Sequence, residues 1–180
     1  MLRTILVFGA IAGAVVAVPM FLALGLAPDS EVATSHLTGY ALMLVALSLV
    51  FVGVKSHRDR ALGGVIKFLP ALGIGLAISA IASVIYVIGW EITLALTNND
   101  FMSSYVASAI EAERAKGTSG AELEAYIAQM EAMQVQYANP LFRLPVTFVE
   151  IFPVGVLVSL ISALLLRNSR FLPARRAAAT

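Results

Sequence analysis

The chain contains no cysteine and few charged residues, and each of these shortages excludes certain kinds of protein. Without cysteine there is no disulfide, no thiolate metal ligand and no cysteine nucleophile. Charged residues make up 13% of the 180 residues, against a usual fraction of about 25%, while hydrophobic residues reach 59%. A soluble domain of this length could not bury so much apolar surface, so the composition predicts a protein whose solvent is largely lipid.

The common signatures of catalytic and cofactor sites are also missing. No Ser-centred elbow, phosphate-binding loop or dinucleotide-binding glycine pattern occurs. The two histidines, His36 and His57, fall in connections predicted on opposite sides of a membrane, so they cannot share a metal ion. No basic patch interleaved with aromatic residues occurs away from the membrane-flanking positions. We therefore expect no enzymatic activity, catalytic residue, metal site or cofactor, and no binding of nucleic acid.

What the chain does contain is four apolar runs, each long enough to cross a bilayer at about 20 residues per crossing. They occupy residues 4–26, 37–54, 66–96 and 141–166. The first run is longer than the apolar core of a cleavable signal peptide, which has about 7–15 residues, so we expect a retained membrane helix. The prediction is an all-α fold, an integral membrane four-helix bundle that forms one domain over residues 1–180.

The charged residues are divided unequally between the connections. Asp29 and Glu31 make the first connection acidic, and the long polar excursion at 97–139 carries six acids against two bases. The connection at 55–67 and the tail at 167–180 are basic. Because basic connections tend to stay on the cytoplasmic side, this pattern predicts that both termini are cytoplasmic.

The polar excursion between the third and fourth runs predicts a helical hairpin on the outer side of the membrane. The cluster Asn98–Asp100 is typical of a helix start. Ser119 and Glu122 have the spacing of a capping box, which opens a second helix that ends before Pro140. The second helix carries an apolar stripe of Leu123, Tyr126, Ile127, Met130 and Met133. We expect this stripe to be covered by the first helix and the outer ends of the spans; docking of a partner or a second copy is the alternative.

Small residues recur four apart in three of the runs, a pattern typical of closely packed membrane helices. The three sets are Gly9, Gly13 and Ala17; Gly75, Ser79 and Ser83; and Gly155, Ser159 and Ala163. They predict packing within the chain, and the alternative is a homodimer formed through the first helix.

Ionisable residues are rare within the runs, and three of them lie in the outer halves of the third and fourth. They are Glu91, Arg143 and Glu150. Arg143 and Glu150 are nearly two helical turns apart, so they share a helix face at a separation of about 10 Å. Pro153 frees the carbonyl group of Val149, beside Glu150. We predict a polar intramembrane cluster of these three residues and Pro153, which either ties the two spans together or serves as a proton-relay or substrate site.

A second polar group lies in the predicted cytoplasmic loop between the second and third runs. This loop motif consists of Lys55, Arg58, Asp59, Arg60, Gly63 and Gly64. The positive charge of this loop is explained by the orientation of the chain, since basic loops remain on the cytoplasmic side. The alternative is that the loop attracts anionic lipid headgroups, which would contribute about 1 kcal/mol per basic residue. Membrane lipids are the partner that the sequence predicts, and no protein partner can be named from it.

Four segments carry a family resemblance. They are FVGVKSHRDRALGGVIKFLPAL (51–72), YVIGWEI (86–92), SGAELEAYIAQMEAMQVQYANPLF (119–142) and EIFPVGVLVSLISALLLR (150–167). Together they resemble a bacterial membrane family catalogued as domain of unknown function 4199. The resemblance implies a four-span protein of the bacterial inner membrane with an outward helical insertion before the last span. It assigns no activity to the chain. It also implies that one set of residues matters together: Arg58, Asp59, Gly63, Gly64, Glu150, Pro153 and Gly155.

Two functional hypotheses follow from these features. The first is a structural or accessory component of the membrane without enzymatic activity. The alternative is a small dimeric transporter or channel subunit, coupled to protons or cations, in which the membrane-embedded Glu150 binds the ion.

Overall fold

The computed structural model describes residues 1–26, 36–97 and 100–174. Within these ranges the chain forms six α-helices and no strand, which confirms the predicted all-α fold. The helices are α1 (Leu2–Leu26), α2 (His36–Ala61), α3 (Phe68–Leu96), α4 (Asp100–Ala115), α5 (Gly120–Ala138) and α6 (Pro140–Leu166). Some predicted features lie outside the described residues, namely Asp29 and Glu31, Asn98 and Asn99, and Arg175 and Arg176.

Four helices are long and apolar enough to cross a bilayer. These spans are Leu2–Leu24, Leu37–Ala61, Phe68–Leu96 and Pro140–Leu166. Large apolar side chains such as Val45, Val149 and Leu157 lie exposed on the outside of the bundle, while Leu47 and Ile78 are fully buried inside it. The protein is therefore a multi-pass membrane protein, as the composition predicts.

The second span is longer than predicted. The sequence predicts that it ends at residue 54 and that a loop begins at Lys55, but α2 continues to Ala61. Lys55 Nζ contacts Asp59 Oδ2 at 2.5 Å one turn later, and Arg58 is buried. These interactions extend the helix beyond its apolar part, and the connection to α3 shortens to residues 62–67.

Helix α1 runs parallel to α3 and packs closely on it. Three residue pairs touch along the contact: Gly9 with Ile81, Gly13 with Ile85, and Gly89 with Ala17. A Cβ atom at Gly13 would lie 2.7 Å from the Cβ of Ile85, so only glycine permits this approach. The small residues of α1 therefore pack within the chain. The homodimer stays a prediction, and it would need a face other than this one.

Helix α3 runs antiparallel to α6, and small residues again line the contact. Gly75 packs against Ser159, and a Cβ atom at Gly155 would lie 2.6 Å from the Cβ of Ser79. In lipid no hydrophobic force drives helices together, so close backbone approach and hydrogen bonds hold such a pair. The prediction that these small residues serve packing within the chain is confirmed.

Helices α4 and α5, joined by a short turn, lie between the third and fourth spans and pack on each other, and we refer to this pair as the hairpin. Gly117, in the turn between them, has a φ of +92°, a region that favours glycine. Ser119 directly precedes α5, but its side chain makes no capping hydrogen bond, so the predicted capping box was wrong. The turn is held instead by Thr118, whose hydroxyl donates to Glu113 Oε1 at 2.8 Å.

Three residues of the apolar stripe of α5 pack against α4, whereas Leu123 and Ile127 lie outside this contact and are half-buried. Met130 is buried together with Met102 and Val106, and Tyr126 and Met133 pack beside them. This small core is separate from that of the spans, so the hairpin has an apolar interior of its own. The bundle therefore has two distinct ends: the hairpin end, which carries α4 and α5, and the tail end, which carries residues 62–67 and 167–174.

Candidate functional site

An ion pair joins α3 to α6 at the hairpin end. Arg143 Nε donates to Glu91 Oε1 at 2.7 Å, and Arg143 Nη2 donates to Glu91 Oε2 at 2.6 Å. Two parallel hydrogen bonds make the contact bidentate, a strong arrangement for arginine and carboxylate. Arg143 is only 9% exposed, whereas the Glu91 side chain is 31% exposed, so the arginine is shielded from solvent and the carboxylate only partly so.

The same arginine also holds the hairpin. Arg143 Nη1 donates to the carbonyl oxygen of Tyr137, at the end of α5, at 3.2 Å. The Tyr137 hydroxyl accepts a hydrogen bond of 2.7 Å from the indole nitrogen of Trp90. The Trp90 ring meets Phe101 of α4 edge-on, with the ring centroids 4.8 Å apart. Two spans and both hairpin helices therefore meet in one hairpin-end network of Trp90, Glu91, Phe101, Tyr137 and Arg143.

Opposing influences act on the Tyr137 hydroxyl. Burial raises its pKa, while the hydrogen bond from Trp90 and the positive charge of Arg143 lower it. The net shift of the Tyr137 pKa is upward. The hydroxyl is therefore neutral near physiological pH, where it acts as a hydrogen-bonding group and not as an acid.

Glu150 lies apart from the ion pair. It stands about 10 Å further along α6 than Arg143. Glu150 Oε2 accepts a long hydrogen bond of 3.4 Å from the hydroxyl of Tyr86. Tyr86 is buried, whereas Glu150 lies on the outer surface of the bundle, and Pro153 is also exposed within the continuous helix α6. The structure thus brings Glu91 and Arg143 together and leaves Glu150 and Pro153 at a different depth.

Hydroxyl groups line the contact between α3 and α6 on the side towards the tail end. The hydroxyl oxygens of Ser79 and Ser159 lie 3.2 Å apart. Ser159 also donates to the carbonyl of Gly155 at 2.7 Å, and Ser83 donates to the carbonyl of Ser79 at 2.8 Å. All three serines are fully buried. Because helix carbonyls accept from these hydroxyls, the serines act as small packing residues whose donors are satisfied.

At the tail end, Arg58 is completely buried, which is unexpected for a residue of a basic loop. Its Nε donates to Asp59 Oδ1 at 2.7 Å, its Nη1 to the Phe171 carbonyl at 3.0 Å and its Nη2 to the Leu172 carbonyl at 2.5 Å. A longer contact of 3.5 Å reaches the carbonyl of Leu166, the last residue of α6. The guanidinium therefore lies at the negative end of the α6 dipole and ties the segment after α6 to α2.

Lys55 and Gly64 complete this tail-end network, which consists of Lys55, Arg58, Asp59, Gly64 and residues 166–172. The backbone nitrogen of Gly64 donates to the carbonyl of Arg58 at 2.9 Å. Gly63 and Gly64 have φ values of +62° and +92°, so the chain reversal after α2 requires glycine at both positions. Of the predicted motif, Arg60 and Gly63 are exposed. The prediction of a loop was wrong for residues 55–60, which belong to α2.

Sequence reasoning missed several partners of these networks. Tyr137 lies at the end of α5, and aromatic residues commonly lie at membrane interfaces, so that signal could have marked it. Tyr86 lies ten residues before the end of α3, where no such signal applies. The partners of Arg58 are backbone carbonyls, which any residue supplies, so no sequence signal could have found them. Within the described part of the chain, every buried side-chain nitrogen or oxygen has a hydrogen-bond partner. In the same residues no group of three histidine, aspartate or glutamate side chains is placed to hold a metal ion.

Comparison with known proteins gives one match. The model of a family described as a protein of unknown function (DUF4199) matches residues 6–168, which is most of the chain. No curated protein and no solved structure matches the chain. A function for this chain therefore has to be inferred from the arrangement of its residues.

Proposed function

The chain belongs to the DUF4199 family, and we propose that it is a structural or accessory component of the bacterial inner membrane, without enzymatic activity. Its role is to hold a helical hairpin in a fixed position against the outer face of the membrane. Both termini lie in the cytoplasm, and the hairpin lies outside it.

The distribution of charge supports this orientation. Among the described residues the tail end carries seven basic residues and one acidic residue: Arg3, Lys55, Arg58, Arg60, Lys67, Arg167 and Arg170 against Asp59. The hairpin carries five glutamates against two basic residues: Glu111, Glu113, Glu122, Glu124 and Glu131 against Arg114 and Lys116. Basic flanks are retained in the cytoplasm, so the tail end is the cytoplasmic one.

The absence of cysteine allows a direct test of the orientation with single introduced cysteines. Ser119→Cys lies in the exposed turn of the hairpin, and Leu62→Cys lies in the exposed connection at the tail end. A membrane-impermeant maleimide should label Ser119→Cys in intact spheroplasts and Leu62→Cys only after lysis, with the cysteine-free parent as the background. Labelling of Leu62→Cys in intact spheroplasts would exclude the orientation.

The observation that carries the structural role is the placement of Arg143. A single guanidinium binds a carboxylate of α3 through Glu91 and a carbonyl of α5 through Tyr137, while it belongs to α6 itself. These bonds fix the hairpin to two spans at once. A side chain that must reach a substrate would not have its donors committed to two other elements of its own chain.

A double-mutant cycle tests this role. Glu91→Gln and Arg143→Gln should each lower the free energy of unfolding by about 1.5–3 kcal/mol, since a hydrogen bond to a charged group is lost and its partner remains. The double variant should cost little more than the worse single one, because the two residues share one interaction. Unfolding is followed by circular dichroism in mixed micelles with increasing sodium dodecyl sulfate. Strictly additive losses would contradict the proposal, and Glu131→Gln, exposed on α5, is the control.

A second candidate function is transport coupled to protons or cations, and the placement of Glu150 favours it. This carboxyl group lies on the surface of an apolar span beside the Tyr86 hydroxyl, where an ionised carboxylate in hydrocarbon costs about 2.5–3.5 kcal/mol. Such residues in membrane spans commonly exchange ions or protons.

Glu150→Gln and Glu150→Ala in reconstituted vesicles separate the two functions. Transport requires a flux of ions driven by a pH gradient that the parent shows and that Glu150→Gln abolishes at an unchanged yield of folded protein. The structural role requires a yield that falls in Glu150→Ala more than in Glu150→Gln, without any flux in the parent.

A further inference from the structure

A cleft opens at the tail end between the last turns of α2 and the segment that follows α6. It has a volume of about 500 Å³. Its lining residues are Lys55, Asp59, Arg60, Leu172, Pro173 and Ala174. The cleft thus has basic side chains on the helix side and apolar side chains with backbone on the other.

The far wall of the cleft is held in place from beneath. Arg58, fully buried, donates to the carbonyls of Phe171 and Leu172, which anchors the segment that forms this wall. Leu172 adopts a φ of +46°, a conformation that non-glycine residues rarely take and that its surroundings must therefore enforce. Ala174 contacts Gly64, where a Cβ atom would lie 3.1 Å from the Ala174 Cβ. The cleft is therefore formed by a segment that specific contacts hold in place.

The charges that face the cleft are not balanced. Asp59 accepts from Lys55 Nζ at 2.5 Å and from Arg58 Nε at 2.7 Å, so two cations already neutralise this one carboxylate. The ammonium group of Lys55 has three donors and commits one of them to Asp59. The side chain of Arg60 makes no ion pair and no hydrogen bond with any other residue that the structure describes. Positive charge and unused donors therefore remain in the cleft.

The depth of the cleft matches that of lipid phosphates. The apolar part of α2, residues 37–54, rises about 27 Å at about 1.5 Å per residue, close to the thickness of a hydrocarbon core of about 30 Å. Lys55 and Arg60 follow directly, so they lie where the headgroups begin. The cleft has this depth in either orientation of the chain in the membrane, so a lipid site here does not depend on the proposed function.

We infer that this cleft binds a phosphate group, with Arg60 and Lys55 as its ligands, and that the phosphate belongs to the headgroup of an anionic phospholipid. An arginine and a lysine side by side supply several donors to phosphate oxygens. The phosphate of a small soluble molecule has the same chemistry, and the experiment separates the two sources.

The experiment uses the full chain in nanodiscs of phosphatidylcholine. Phosphatidylglycerol is introduced at increasing fraction, and bound lipid is counted by native mass spectrometry. A separate series adds inorganic phosphate to nanodiscs that contain only phosphatidylcholine. Arg60→Gln is the test variant, because it breaks no ion pair that the structure describes. Arg170→Gln is the matched control, because it removes the same charge from the same end of the bundle at an exposed position outside the cleft.

The expected result is one saturable phosphatidylglycerol site whose affinity falls about fivefold in Arg60→Gln and remains unchanged in Arg170→Gln. That factor corresponds to about 1 kcal/mol, the contribution of one direct hydrogen bond to the phosphate. Saturable binding of inorganic phosphate with the same dependence on Arg60 would support the site and assign it to a soluble phosphate. Equal losses in both variants would mean diffuse attraction by the basic end of the bundle and would overturn the inference. Absence of saturable binding in the parent in both series would overturn it as well.

Discussion

Gly73 and Gly75 of α3 form a matched pair for testing the close approach of α3 and α6. A Cβ atom added at Gly75 would lie 2.9 Å from both the Cβ and the Oγ of Ser159, closer than real Cβ atoms come. A Cβ atom added at Gly73 would meet nothing within 4 Å. The substitution Gly→Ala is therefore chemically the same at both positions, but the added methyl group clashes with Ser159 at position 75 and meets no atom at position 73.

The expected magnitude follows from two contributions. Alanine favours a helix over glycine by about 0.5–1 kcal/mol, and this gain applies to both variants. An extra methyl group in a closely packed contact costs about 1–3 kcal/mol. Gly73→Ala should therefore be neutral or more stable than the parent, whereas Gly75→Ala should be less stable than Gly73→Ala by about 1–3 kcal/mol.

The assay is unfolding in mixed micelles with increasing sodium dodecyl sulfate, followed by far-UV circular dichroism. Ser159→Gly removes the atoms that the new methyl group meets, so it should restore much of the loss when combined with Gly75→Ala. A double-mutant cycle separates this rescue from the hydrogen bonds that Ser159→Gly itself removes. If Gly75→Ala were as stable as Gly73→Ala, α3 and α6 could not be packed as closely as these distances require.

Three further predictions concern the polar networks. Arg58→Met should lower the free energy of unfolding by about 1.5–3 kcal/mol, because Asp59 and the carbonyls of Phe171 and Leu172 lose a charged donor, and limited proteolysis should then cut the segment after α6; Arg60→Met, exposed, should change neither. Tyr137→Phe should cost about 0.5–1.5 kcal/mol and should shift the emission of Trp90, the single tryptophan of the chain, because the indole loses its acceptor. Hydrogen bonds from the neighbouring lysine and threonine lower the pKa of Glu113, so their stabilising effect is present above its ordinary pKa of 4.5 and is lost as the pH falls through the lower folded value. The protection of amide hydrogens in the turn between α4 and α5, relative to their intrinsic exchange rates at each pH, should fall over that acidic range in the parent, whereas in Glu113→Gln it should show no such dependence.

The spans could be predicted because their signal is local. A run of about 20 apolar residues needs no knowledge of its neighbours to be recognised as a membrane helix. The end of α2 was misplaced for the opposite reason. Hydropathy falls at Lys55, but the helix continues because Lys55 pairs with Asp59 one turn later and Arg58 finds acceptors in a distant segment.

Contacts in the candidate sites also differ in whether the local sequence is enough to predict them. The contact of Glu91 with Arg143 follows from depth alone, since two opposite charges near the same ends of adjacent spans favour pairing. The hydrogen bond from Tyr86 to Glu150 depends on the rotation of α3 about its axis, which small-residue contacts set and which hydropathy does not report. The capping box at Ser119 does not form, and the turn is held by the hydrogen bond from Thr118 to Glu113, which the sequence pattern does not indicate.

The buried guanidinium of Arg58 also has a consequence for the order in which the protein is assembled. Arg58 belongs to the second span, but its carbonyl acceptors lie at residues 166–172, so most of its partners are synthesised long after it. Until they arrive, only Asp59 among these partners is present, and the arginine has to remain hydrated at the membrane surface. Insertion of the last span supplies the missing acceptors and allows the arginine to be buried. The tail end is therefore completed by the C-terminal segment, and a chain truncated before Phe171 would retain the packing of its four spans but lack two of the carbonyl acceptors of Arg58.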